Sequence, residues 1–274
     1  KKISDKDYLD NILTLLKQKK IVPSKYSIFY KDQFQEIPYD KSTLFKSYVY
    51  QKDILKISNQ TAIRAVQFEK ISTNDYQKIT STGSDSIVIM PIFTASAYAE
   101  NSFYYYYAQK CDTKCLTTKI TYGKPYTFES SSNGIKILRL LNYTEITDVE
   151  LDKNPQILNK YKKVILLHNE YLTQNEFDAI QKHPNVLYLY PNSLYAKISV
   201  NYNKDTITLL EGHGYPDKKI NNGFNWKYDN SKLEYDTDCK NWKFTDVSNG
   251  KQLNCYPQHI IYKDYDLLKF IKNY

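Results

Sequence analysis

His168-Asn169-Glu170-Tyr171 is the densest group of chemically capable side chains in the chain. A histidine moves protons near neutral pH or binds a metal through a ring nitrogen. A glutamate serves as general base or as a hard oxygen ligand. A tyrosine donates a hydrogen bond to a developing oxyanion, or ligates iron(III) once deprotonated. His168, Glu170 and Tyr171 are therefore the candidate catalytic residues. The plainer reading is that they orient a turn, with Glu170 paired to a surface lysine. A second group, Glu211-Gly212-His213-Gly214-Tyr215-Pro216, sets a histidine between glycines that let the backbone turn sharply. His213 either joins Glu170 and Tyr171 as a ligand, in a set suited to iron or zinc, or marks a structural turn. The sequence contains no GxSxG elbow, HExxH pair, P-loop or GxGxxG fingerprint.

These residues need elements to position them. Ser86–Phe93, Lys163–Leu167 and Val186–Tyr190 are short, continuously apolar runs, the pattern of strands buried on both faces. Helical spacing lies between them: residues 131–142 with Ile135, Leu138 and Leu141 on one face, a piece opening at Pro155, and a Thr173/Glu176 capping box leading to about Lys182. Strand and crossover helix in alternation predict an α/β parallel sheet with right-handed crossovers. Ligands of such sheets bind beyond the carboxyl ends of the strands. That rule adds Thr94, Ser96 and Tyr98 after the first strand and Asn192 after the third as binding candidates. Asp148, at the end of a short strand over residues 145–149, joins them, as does His213.

The flanks read differently. Residues 1–80 form an amino-terminal α/β lead-in unit. Ser4 and Asp7 cap a helix that Pro23 stops, and Thr61–Phe68 reads as one strand. Residues 81–211 hold the core, ending in a hairpin over 198–202 and 206–210. Residues 212–274 are a loop-rich extension packed on that core, closed by a short helix over residues 265–271. Trp226, Tyr228, Tyr235 and Trp242 either form its small core or a platform for sugars. The Phe103–Tyr107 run either covers a core edge or stacks on sugars.

Lysine plus arginine is 38 and aspartate plus glutamate 30, a net charge of +8. Lysines are scattered among acids, and arginine occurs only at Arg64 and Arg139. This is a solvated surface and not a nucleic-acid footprint. No apolar run approaches the roughly 18 residues that span a bilayer. The chain begins at Lys1 without methionine, which fits a mature form trimmed of a signal peptide or anchor. The sequence-local pairing Cys111–Cys115 and Cys239–Cys255 is favoured as two disulfides, with zinc as the competing use of the thiols. Disulfides imply an oxidising, extracellular or cell-surface location. The acceptor triplets at Asn59 and Asn142 agree with it.

Within this pattern, Thr147-Asp148-Val149-Glu150-Leu151, Asn154–Tyr161, Val164–Leu167, His168-Asn169-Glu170-Tyr171, and Val186–Tyr190 with Asn192 and Tyr195 resemble the glutamine-amidotransferase-like domain of the N,N-dimethylformamidase large-subunit family. The resemblance covers about a fifth of the chain. It implies a flavodoxin-like parallel sheet with class I glutamine-amidotransferase-like topology. It also implies amide hydrolysis at an iron held by tyrosines and a glutamate, for which Glu170 and Tyr171 are the matching positions. The nucleophilic cysteine of amidotransferases has no counterpart here. Ile89-Met90-Pro91-Ile92-Phe93-Thr94 and Gly212-His213-Gly214-Tyr215-Pro216 also resemble exported archaeal proteins of unassigned activity.

Two functions follow as expectations. One is a metal-dependent hydrolase of amide or glycan substrates, acting on a small polar molecule or an envelope glycan. The other is a non-catalytic cell-envelope protein, structural or glycan-binding, whose partners are envelope proteins or further copies of itself.

Overall fold

The computed structural model describes residues 25–30, 33–38, 44–48, 54–57, 60–63, 65–70, 74–123 and 126–274. The helix expected after Ser4 and the acceptor Asn59 lie outside these residues. Contacts group the chain into two compact units. The described residues up to Asn74, with Tyr262–Tyr265, form one; Asp75–Ile261 with Asp266–Tyr274 form the other.

The first unit contains three antiparallel strand pairs. They are β1 (Lys25–Tyr30) with β2 (Gln33–Pro38), β3 (Phe45–Tyr48) with β6 (Gln67–Lys70), and β4 (Ile54–Ile57) with β5 (Gln60–Ile63). The single strand expected over Thr61–Phe68 is two strands serving different pairs. Ala65 and Val66 between them are buried, so the apolar pattern runs on through the break and conceals it. Leu44, Phe45 and Phe68 are also buried, and the Phe68 ring stacks on Tyr262.

The second unit is built on a six-stranded sheet. Its strands are β7 (Ser86–Met90), β9 (Thr144–Thr147), β10 (Lys163–Leu166), β12 (Val186–Tyr188), β15 (Phe244–Val247) and β16 (Gly250–Leu253). They lie in the order β9-β7-β10-β12-β16-β15; every pair is parallel except the terminal β16–β15. Residues Ile87–Ile89, Val164–Leu167 and Val186–Leu189 are essentially inaccessible. That burial on both faces is why these strands read as unbroken apolar runs. Pro91, which has no N–H to give a ladder, follows β7 directly and precedes the helix Ile92–Ala97.

A second sheet has the order β11-β13-β14-β8, from β8 (Thr117–Lys119), β11 (Tyr171–Leu172), β13 (Ala196–Asn201) and β14 (Thr206–Glu211). β13 and β14 form the expected hairpin, and its outgoing arm delivers His213. Phe93, Phe103, Tyr171, Ile198 and Ile207 pack the core beside this sheet.

Two further expectations are corrected. Asp148 does not end a strand: it opens the helix Asp148–Lys153. There the Thr147 hydroxyl accepts from the Glu150 N–H, and the Glu150 carboxylate accepts from the Thr147 N–H. The Thr147/Glu150 spacing is a capping box, which outranks the apolar content of a five-residue window. The loop-rich extension over residues 212–274 is not all loop, since it carries β15 and β16 and so completes the main sheet. β16 was illegible because Gly250-Lys251-Gln252 lacks apolar character. Its glycine is required: a Cβ at Gly250 would lie 1.7 Å from the Val186 carbonyl oxygen.

All four cysteines are paired, Cys111 with Cys115 and Cys239 with Cys255. The second bridge spans 16 residues and encloses the β15–β16 hairpin. Replacing Cys239 and Cys255 by serine should destabilise this unit by about 3 kcal/mol. At roughly 2–4 °C per kcal/mol its melting transition should fall by roughly 6–12 °C, read by calorimetry. Lys163, buried at the start of β10, donates to the carbonyls of Ile271 (2.6 Å) and Lys272 (3.1 Å). It thereby caps the carboxyl end of the helix Tyr265–Asn273. Lys163→Met should cost about 1–3 kcal/mol through those orphaned carbonyls, measured by denaturant unfolding.

Candidate functional site

Chain order reverses at β7, which has β9 on one side and β10 on the other. In an open parallel sheet the crevice forms at such a point, beyond the carboxyl ends of the strands. Both exits are tied together there. The Thr94 hydroxyl, after β7, accepts from the N–H groups of Glu170 (3.0 Å) and Tyr171 (3.3 Å), after β10. The His168 N–H donates to the Ser131 hydroxyl oxygen (2.8 Å). Ser131 holds a left-handed φ of 62° at the head of the helix Ser132–Leu140. The Ser193 hydroxyl, after β12, bonds to the Leu167 carbonyl (2.9 Å), bringing in the third exit.

Glu170 lies at the centre and is fully buried. His213 Nε2 is 2.5 Å from its Oε1, and the Tyr104 hydroxyl donates to the same oxygen (3.2 Å). His168 Nε2 lies 3.7 Å from Glu170 Oε2 and 3.9 Å from Oε1 of a second carboxylate, Glu234. Glu234 also accepts from the Asn192 amide (2.8 Å) and the Tyr98 hydroxyl (3.5 Å). Tyr98 stacks on Tyr104 at 3.9 Å. The other ring nitrogen of His168 faces the Glu129 carbonyl and the Tyr256 hydroxyl. Glu170 and His168 are closed off from solvent, while His213 and Glu234 keep 21% and 22% of their side-chain surface exposed. The cluster therefore reaches solvent through these two. Two of its buried polar atoms, His168 Nε2 and Asn192 Oδ1, have no hydrogen-bond partner among the described residues.

The two carboxylates are driven apart in proton affinity. Burial works to raise the Glu170 carboxyl, but His213 and His168 outweigh it and hold it below the usual carboxylate range. Burial, and then the charge of Glu170, push Glu234 up to about 8. Burial lowers His168, so its imidazole favours the neutral form. Burial raises Tyr98, Tyr104, Tyr171 and Tyr256, which keeps the surrounding phenols protonated. One anion, one neutral acid and a histidine between them is an acid–base arrangement.

The fold thus brings together Thr94, Tyr98, His168, Glu170, Asn192 and His213. Tyr171 adjoins the cluster, but its hydroxyl contacts that of Tyr107 (3.4 Å) and its ring packs 5.7 Å from His213. Ser96 and Asp148 serve structure. The Ser96 hydroxyl bonds to the Ile92 carbonyl (2.8 Å) and accepts from the Thr121 N–H (2.9 Å). The buried Asp148 carboxylate accepts from the N–H groups of Phe93 and Val149 (both 2.9 Å). Among the described residues Glu170 has no lysine partner; its counter-groups are histidines. Asn142 is exposed in a turn. Glu234, Tyr104 and Ser131 escaped the sequence reading. Tyr104 and Tyr107 did carry a signal, since their i, i+3 spacing puts both on one side of the helix Phe103–Tyr107. Glu234 follows the single turn Ser231–Leu233 in a stretch without periodicity, so nothing in the sequence marked it.

For a metal, Glu170 and His213 supply the oxygen and nitrogen donors that iron or zinc takes. At present those two atoms are bonded to each other. Among the described residues, no group of three or more His, Cys, Asp or Glu side chains is arranged to hold an ion. No protein-family model matches the sequence, and no curated protein matches it.

Proposed function

We propose that this chain is an exported or cell-surface hydrolase with an amidotransferase-like core, acting on an amide or glycosidic bond of a small polar molecule or an envelope glycan. The observation that carries this reading is the pair of carboxylates, Glu170 and Glu234, set on either side of the buried His168 Nε2; burial and neighbouring charge drive their proton affinities apart.

In this reading Glu170 is the general base. It takes a proton from water as the water oxygen bonds to the scissile carbon. Glu234, protonated up to about pH 8, gives its proton to the departing nitrogen or oxygen. His213 and Tyr104 hold Glu170 in place, and Asn192 and Tyr98 hold Glu234. The strand order supports a flavodoxin-like topology, because numbering the parallel strands along the chain gives 2-1-3-4-5. Export is supported by the two disulfides. Asn142, exposed on a turn, is the acceptor for a glycan there. A metal-assisted form of the same hydrolase would use Glu170 and His213 as ligands for zinc or iron, with Tyr171 from the adjoining strand β11. The ion would supply Lewis-acid polarisation of the scissile bond.

Hydrolysis of aryl amides and aryl glycosides by the purified protein, before and after chelation, tests this. Turnover of one class is expected. A folded protein that turns over neither class, with or without added zinc or iron, would sink it. The second reading is a non-catalytic envelope protein, structural or glycan-binding. It is favoured by the complete burial of Glu170 and His168.

A further inference from the structure

The loop that carries His213 to Glu170 does something else at its far end. Residues 219–226 and Asp229 line a cleft of about 630 Å³, together with Gln174, Phe177, Lys197 and Glu211. The volume falls within the about 300–1,000 Å³ of small-molecule sites. None of these residues belongs to the Glu170 cluster.

Four features define what the cleft accepts. Its aromatic lining is set in advance: Phe177 and Phe224 stack with ring centroids 4.4 Å apart and planes 1° from parallel. Its charges cancel, Lys197 and Lys219 against Glu211 and Asp229, on a protein that is +8 overall. Its exposed amides, Gln174, Asn221 and Asn225, each both donate and accept. Finally, Trp226, 7% exposed, lines the cleft with its ring packed 5.1 Å from that of Tyr188.

The loop is also rigidly held. The Asn222 side chain accepts from the N–H groups of Phe224 (2.9 Å) and Trp226 (3.3 Å) and donates to the Leu194 carbonyl (3.1 Å). Gly223 presses against β14 so closely that a Cβ would lie 2.2 Å from the Glu211 carbonyl oxygen. Binding therefore costs little ordering of this segment.

The geometry points to a second site, for a neutral oligosaccharide. Its C–H faces pack on the Phe177–Phe224 pair, and its hydroxyls pair with the amides and charge-balanced side chains. A nucleotide or acidic ligand finds no net positive charge here, and a purely apolar ligand would strand the polar lining.

The test is calorimetric titration of the full chain with chitotriose, cellotriose and mannotriose, with trigalacturonate as the charged comparison. At least one neutral trisaccharide is expected to bind with Kd between about 10 μM and 1 mM. Phe224→Ala and Trp226→Phe should each weaken it at least about tenfold, about 1.4 kcal/mol. Asn225→Gly, an exposed change at a residue with φ of 49°, keeps the backbone and should weaken it several-fold. Glu170→Gln should leave it unchanged, which separates this site from the hydrolytic reading. The inference is overturned by no heat from any neutral trisaccharide at about 10 mM. It is equally overturned by binding confined to trigalacturonate, by affinity that survives all three cleft substitutions, or by binding lost in Glu170→Gln alone.

Discussion

Glu170→Gln should lower the proposed hydrolysis by at least about 100-fold in kcat while the protein stays folded. Glutamine keeps an oxygen to accept from Tyr104 and His213 but cannot take a proton from water. The substitution has a second consequence that does not depend on substrate. The Glu170 charge is the largest influence on Glu234 after burial, and it opposes ionisation. Removing it should bring the Glu234 carboxyl down from about 8, a change readable by NMR titration of the side-chain carboxyl. A Glu170→Gln protein with full turnover would remove Glu170 as the base. An unmoved Glu234 titration would remove the coupling between the carboxylates.

The second large effect is in pH. The reaction needs Glu170 ionised and Glu234 protonated. Rate should rise with pH through the low Glu170 titration, hold through neutrality, and fall as pH passes about 8. Glu234→Gln should abolish the proton donation and, in whatever rate remains, the alkaline fall. An alkaline limb that persists in Glu234→Gln would assign it to another group. Stability follows the same two groups with opposite signs. Glu234 titrates higher in the folded chain than its ordinary 4.5, so its contribution is full below that value and is lost as pH rises through about 8. Glu170 titrates lower when folded, so its contribution is full above its ordinary 4.5 and is lost as pH falls through its folded value. Thermal melting should therefore weaken on both sides, from Glu170 in acid and from Glu234 toward mild alkali.

Much of the frame was legible. β7, β10 and β12 announced themselves because parallel strands buried on both faces must be apolar throughout. The capped helix Gln174–Lys182 was legible because Thr173 and Glu176 satisfy backbone donors locally. β16 was not, because a glycine-led polar segment becomes a strand only when β12 is there to pair with it. Asp148 was misplaced for a related reason: a carboxylate at the end of a short strand reads as a binding residue on the rim, until the N–H of Phe93, 55 residues away, is found to bond to it.

The sequence by itself determined the local matters that carry a local signal: that the unbroken apolar runs become β7, β10 and β12, that Thr173 opens a helix, and which cysteines are near enough along the chain to pair. These depend on periodicity and on spacings of a few residues, which the order of amino acids states directly. Only the tertiary structure decided that His213 meets Glu170 across 43 positions and that Glu234, rather than Tyr171 or Asp148, shares His168 with it. Those meetings, and the proton affinities they produce, come from burial and from charges brought close by the folded backbone. Neither has a signature in the one-dimensional chain.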